Sequence, residues 1–177
     1  MTGLRISFGE GPQTTGGVPQ APPLRGEPLG LYHGRPLASW GSRVVAYIID
    51  WLFGLLLFVP GGVLVGIGAV AHGATQVILV TVGAVLLLVA AVVQIWQTAW
   101  RQGARGQSWG KVVTGLRTVD LQTMQPIGGP RGLLRWLIDA LLGSVGVLWL
   151  LNYLWPLWDE RNQTWSDKLV GSVVLSG

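Results

Sequence analysis

Arg43-Val-Val-Ala-Tyr-Ile-Ile-Asp50 opens the stretch whose reading decides the fold, because residues 51 to 100 behind it contain no Asp, Glu, Lys or Arg. A charge at the centre of a bilayer costs about 2.5–3.5 kcal/mol on insertion scales, so one placed there implies a partner or a purpose. Seven residues are two helical turns, which sets Arg43 and Asp50 on one helix face, about 10.5 Å apart along the axis. That separation is too long for a short direct contact. Each is therefore expected to meet something else.

Working outward, the first span runs from residue 43 to about 59. Pro60-Gly61-Gly62 then interrupts an apolar run that continues to Ala71. A helix from Val44 to Ala71 would be about 42 Å long, against a hydrocarbon core of roughly 30 Å. Either it kinks and tilts at Pro60, or it ends there and a short second piece follows. Gly62 and Gly66 form a small-xxx-small pair that would permit close helix approach. The uncharged link Ala71-His-Gly-Ala-Thr-Gln76 leads into a second span, residues 77 to 99, bordered by Trp96 and Trp100. The third apolar region covers residues 133 to 158 and includes Arg135, Asp139 and Gly143-Ser-Val-Gly146. Its length predicts one crossing. A break at the glycines would instead return the chain, so that Val173 to Leu175 could pair with a strand near Val112. Three crossings are expected. The fold class is an all-α polytopic membrane protein.

Composition agrees with that class. Half of the 177 residues are hydrophobic and 11% are charged, far below the quarter of a soluble domain. The net charge of +4 sits in loops beside apolar segments, which points to orientation in a membrane and away from nucleic acid. Arg101, Arg105, Lys111, Arg117 and Arg131 crowd residues 101–132, so that loop and the N-terminus are expected in the cytoplasm, with 71–76 outside. Residues 1 to 36 hold six of the ten prolines and eight glycines, a composition expected to stay disordered as a cytoplasmic tail. No apolar h-region follows Met1, so no cleavable signal peptide is expected. Within the loop, residues 111 to 120 are rich in β-branched side chains, and Gln122 to Pro126 reads as a turn, which predicts a short strand or hairpin.

These pieces resemble the RDD family of small prokaryotic membrane proteins. The resemblance is carried by Ala38-Ser-Trp-Gly-Ser-Arg43 running into Ala46-Tyr-Ile-Ile-Asp50, by Gly106-Gln-Ser-Trp-Gly-Lys111 with Gly115-Leu-Arg-Thr-Val-Asp120, by Leu133-Leu-Arg135, and by Arg161-Asn-Gln-Thr-Trp-Ser-Asp167-Lys-Leu-Val-Gly171. It covers residues 37 to 175. The family takes its name from one arginine and two aspartates. The resemblance implies that these are Arg43, Asp50 and either Asp167 or its rival Asp139. It also implies a transport-related role for an unidentified cation or small solute.

Other motifs carry less. Gly106-Gln-Ser-Trp-Gly-Lys111 is not a phosphate-cradling loop, since Arg105 and Val112 stand where a glycine and a hydroxyl are needed. It reads as a turn with Lys111 near lipid headgroups. Asn162-Gln-Thr164 matches a glycosylation sequon, a pattern frequent by chance. The ten tryptophans read mainly as interface anchors, Trp51 beside Asp50 excepted. With no cysteine and two histidines, no metal centre or cofactor is expected, and no nucleophile–base pair suggests an enzyme. The charges Arg43, Asp50, Arg135, Asp139 and Asp167 have two readings. In one they are structural: Arg43 snorkels at the interface while Asp50 pairs with Arg135 between helices, and Asp139, four residues from Arg135 on the same face, is its alternative partner. In the other Asp50 accepts a proton or cation. Two functions stay open: a transport-related protein, as a homo-oligomer or with another membrane protein, and a non-transporting adaptor or assembly factor.

Overall fold

A computed structural model describes residues 30–177. Most of the expected tail, residues 1 to 29, lies outside the described residues. Its last part does not behave as its composition suggested. Strands β1 (Leu31–Tyr32) and β2 (Arg35–Pro36) form a small antiparallel hairpin. Tyr32 is buried, and its hydroxyl donates to the Leu121 carbonyl at 2.6 Å. One aromatic anchor and its hydrogen bond hold this segment against the domain despite a turn-rich sequence.

Helix α1 (Trp40–Val70) begins where the Ser39 hydroxyl accepts from the Ser42 amide at 3.2 Å, a side-chain N-cap. It passes through Pro60 without ending, so its 31 residues extend roughly 46 Å. Helix α2 (Gly73–Ile95) returns antiparallel beside it. The turn carries on through a π-helical segment, Trp96–Arg101, into α3 (Gln102–Arg105). Close approach of α1 and α2 comes from Gly61 and Gly83, where an added Cβ would lie 2.9 and 2.8 Å from the opposing backbone carbonyl. Gly62 and Gly66, the expected small pair, face open space. Both long helices are apolar enough to cross a membrane, and most of each remains uncovered by protein.

After α3 the chain makes a short helix α4 (Trp109–Val113), capped by Ser108, and then strand β3 (Leu116–Asp120). The β-branched run is thus half helix and half strand. Helix α5 (Gly129–Gly143) follows, and α6 (Gly146–Leu154) after it. The expected third crossing is not found. The two helices have 15 and 9 residues, about 22 and 14 Å, each too short for a hydrocarbon core of roughly 30 Å. They turn at Ser144 and fold back, since Asn152 Nδ2 on α6 reaches Asp139 Oδ1 on α5 at 3.0 Å. The break falls at Ser144 and Val145, and the polar pair joins the two helices across it. Helix α7 (Trp165–Val170) and strand β4 (Ser172–Ser176) complete the chain.

Strand β4 pairs antiparallel with β3, Val173 opposite Val119 and Val174 opposite Thr118. Leu37 bridges to Leu175 from the other side. The core here is Tyr32, Leu37, Val119, Val173 and Leu175. The N-terminal hairpin, the 101–128 loop and residues 159–177 therefore gather at one end of the two long helices.

Candidate functional site

At that end lies a cavity of about 330 Å³, bounded by the start of α1, the end of α2 with its π segment, α4, α5 and α6. Sequence reasoning found most of its charges. It assigned their partners incorrectly.

Asp167 is the centre of the arrangement. Thr164 caps α7 and Asp167 caps it back: the Thr164 Oγ1 accepts from the Asp167 amide at 3.1 Å, and Asp167 Oδ2 from the Thr164 amide at 3.3 Å. This local box aims a fully buried carboxylate at two arginines. Arg43 Nη1 donates to Oδ2 and Arg135 Nε to Oδ1, both at 2.8 Å. The Ser172 hydroxyl adds a fourth donor at 3.0 Å. Burial alone would push the Asp167 carboxyl up, but Arg135, Arg43 and Lys111 outweigh it and hold the group well below the usual carboxylate range.

Asp50 stands apart from this pair of arginines. Its Oδ2 accepts from the Ser108 hydroxyl at 2.5 Å and its Oδ1 from the Gly110 amide at 2.8 Å. The expected bond from Asp50 to Arg135 is absent among the described residues. The carboxylate instead ties α1 to the first turn of α4, where it accepts from a backbone N–H that has no partner within the helix. Gly110 is required by the approach: a Cβ there would sit 2.0 Å from the Ala46 carbonyl oxygen. Asp139 likewise does not bond Arg135; its Oδ1 takes the Asn152 amide. Asn152, fully buried, accepts in turn from the Trp165 amide at 2.9 Å, so α5, α6 and α7 are joined through one side chain.

Lys111 is the largest departure from expectation. It is 8% exposed and lines the cavity. The Ser108 cap and the Gly110 contact turn α4 so that its next residue points inward. Lys111 Nζ donates to Thr118 Oγ1 on β3 at 2.7 Å and, with the Gln102 amide oriented to suit its neighbours, to the Gln102 oxygen at 2.8 Å. That oxygen also accepts from Arg135, and the Gln102 nitrogen donates to the Thr98 carbonyl at 2.8 Å. Among the described residues Lys111 forms no ion pair. Burial holds its ammonium well below the ordinary lysine range; Arg135 and Arg43 push the same way, and Asp167 and Asp50 oppose them.

Sequence reading also missed Gln97, Gln102 and Asn152, all buried here. A signal existed in Gln94, Thr98 and Gln102, polar residues four apart on one face of an apolar helix. The π segment rotates the residues after it, and such insertions recur where a helix serves a site. Aromatic side chains finish the wall: Trp40 Nε1 donates to the Tyr153 carbonyl at 2.9 Å, and Tyr153 packs edge-on against Tyr47 with ring centroids 5.1 Å apart.

The RDD family model matches residues 37–171. Among curated proteins the chain is similar to the "Proline-rich antigen" of Mycobacterium leprae (strain TN), 32% identical over 161 residues, covering 77% of this chain and 59% of the relative. It is also similar to the "Proline-rich antigen homolog" of Mycobacterium tuberculosis (strain CDC 1551 / Oshkosh), 32% identical over 167 residues, with 77% and 62% covered. The chain thus spans about three fifths of the length of the curated relatives it matches. No solved structure gives a significant match.

Proposed function

The chain belongs to the RDD family, and from that premise we propose that it is a multi-pass cell-membrane protein that takes a small solute into the cavity at the loop end of its bundle as a step in transport. The carrying observation is the cavity itself, about 330 Å³ and lined by Arg43, Asp50, Lys111, Arg135 and Asp139 at the end of two helices apolar enough to cross a membrane. Charges placed beside hydrocarbon mark solute pathways in membrane proteins, and the volume falls at the small end of ligand pockets.

A small solute fits better than a bare metal cation. Both Asp50 oxygens are occupied by Ser108 and Gly110, and Asp167 already serves two arginines. Orientation follows the basic loop: residues 101–132 and the N-terminus face the cytoplasm, and the 71–76 link faces outward. Two spans enclose no pathway alone, so further copies or another membrane protein complete it. The role is binding and translocation, not enzymatic. A second reading, an adaptor whose charges only hold the fold, draws support from the four donors that satisfy Asp167.

Proteoliposomes test the choice. Uptake of a mixed pool of radiolabelled amines, carboxylates and amino acids should exceed that of protein-free vesicles, while radiosodium uptake should not. Ala140→Phe, which fills the cavity from α5, should remove the excess. Uptake at the protein-free level for every probe would overturn the transport reading and leave the adaptor.

A further inference from the structure

The cavity carries unused hydrogen-bonding capacity of both signs. An ammonium has three N–H groups. Two of those on Lys111 reach Thr118 and Gln102, which leaves the third. Arg43, on the same wall, has Nε and Nη2 buried without an acceptor among the described residues. Opposite in kind is Asp139: Oδ1 accepts from Asn152, and Oδ2 has no donor among the described residues. Donors therefore wait on α1 and α4, and an acceptor waits on α5.

Charge balance selects what could meet them. Arg43, Lys111 and Arg135 against Asp50, Asp139 and Asp167 sum to zero when Lys111 is protonated. In a poorly solvated site a ligand with net charge would break that balance at considerable cost. A ligand carrying one charge of each sign keeps it. The rest of the wall includes Trp40, Tyr47, Trp51, Trp136, Trp149 and Tyr153, which would receive an apolar group.

Building on the cavity reading above, we propose that the site binds a small zwitterion with an apolar side chain, an amino acid in its chemistry, with its carboxylate on Lys111 and Arg43 and its ammonium on Asp139. The carboxylate takes the third N–H of the Lys111 ammonium, whose other two reach Thr118 and Gln102.

The test compares three ligands with the same ring: L-phenylalanine, 3-phenylpropionate and 2-phenylethylamine. Each is titrated calorimetrically into the full chain in nanodiscs. Phenylalanine should bind at least about tenfold more tightly than either singly charged analogue, since each charge-assisted contact is worth that much or more. Lys111→Gln should reduce phenylalanine to the affinity of phenylethylamine, and Asp139→Asn to that of phenylpropionate. Should either variant fail to fold, the three-ligand comparison on the unaltered chain decides alone. Equal binding of all three overturns the zwitterion and leaves the solute cavity standing. Preference for one singly charged analogue likewise overturns it. No measurable binding of any of them overturns both.

Discussion

Asp167→Asn isolates the charge at the centre of the site. The amide retains the size of the carboxylate and an oxygen for the Thr164 cap. It leaves Arg43 and Arg135, 11% and 14% exposed, without a counter-ion at hydrogen-bonding distance. Removing one partner of a buried pair costs about 3–5 kcal/mol, and here one acid serves two bases, so the upper half of that range is expected. Arg135→Gln alone should cost less, about 1.5–3 kcal/mol, the value of a hydrogen bond to a charged group, because Asp167 keeps Arg43. In the double variant a single guanidinium is stranded instead of two. Its loss should fall short of the sum of the singles by about 2 kcal/mol, within the range measured for neighbours. Asp50→Asn with Arg135→Gln is the control, and those two should add to within about 0.5 kcal/mol because they share no bond. Reversible chemical unfolding in mild detergent, followed by tryptophan fluorescence, reads all of these. A coupling between Asp50 and Arg135 as large as that between Asp167 and Arg135 would refute the assignment of partners.

Gly110→Ala should destabilise by about 3 kcal/mol or more, because its Cβ meets the Ala46 carbonyl, whereas Gly62→Ala, facing open space, should be neutral or slightly stabilising in the same unfolding assay. Tyr32→Ala removes the buried ring and its bond to Leu121 and should cost about 2–4 kcal/mol in the same unfolding assay. In intact cells a membrane-impermeant thiol reagent should label a cysteine at Thr75 and spare cysteines at Thr123 and Ser176, and labelling of Ser176 without Thr123 would contradict the β3–β4 pairing. Lys111 sits below its ordinary range in the folded state, so the unfolded chain binds more protons between that value and the ordinary one. Stability should therefore rise with pH across that interval, and Lys111→Met should flatten the rise in pH-dependent unfolding.

Much of this was legible from residue order alone. The charge-free run after Asp50 gives two long apolar helices; it was the family resemblance, not residue order, that named Arg43 and Asp167 together. What pattern cannot supply is pairing between elements far apart in sequence. Whether Arg135 meets Asp50 or Asp167 depends on where α7 docks, and no periodicity encodes that. The third apolar region misled for a related reason. Its length fits one crossing, but Asp139 and Asn152 within it satisfy each other only if the helix breaks between them. Lys111 was misplaced because its direction is set by how α4 docks on α1, through the Gly110–Ala46 approach and the Asp50 bonds to Ser108 and Gly110, contacts between elements far apart in sequence.

Asp167 also has a place in time. It is synthesised 124 residues after Arg43, the side chain it neutralises. At about 5–20 residues per second, the ribosome leaves α1 waiting about 6–25 s for its counter-ion. During that interval both long helices have been made while Arg43, and later Arg135, stand without the carboxylate that neutralises them. The nascent chain is thus held in a provisional arrangement until its final helix emerges. A ribosome that stalled after α6 would release a product with its lipid-facing helices intact and two arginines unmatched, a form that membrane quality control has a physical basis for telling from the finished protein.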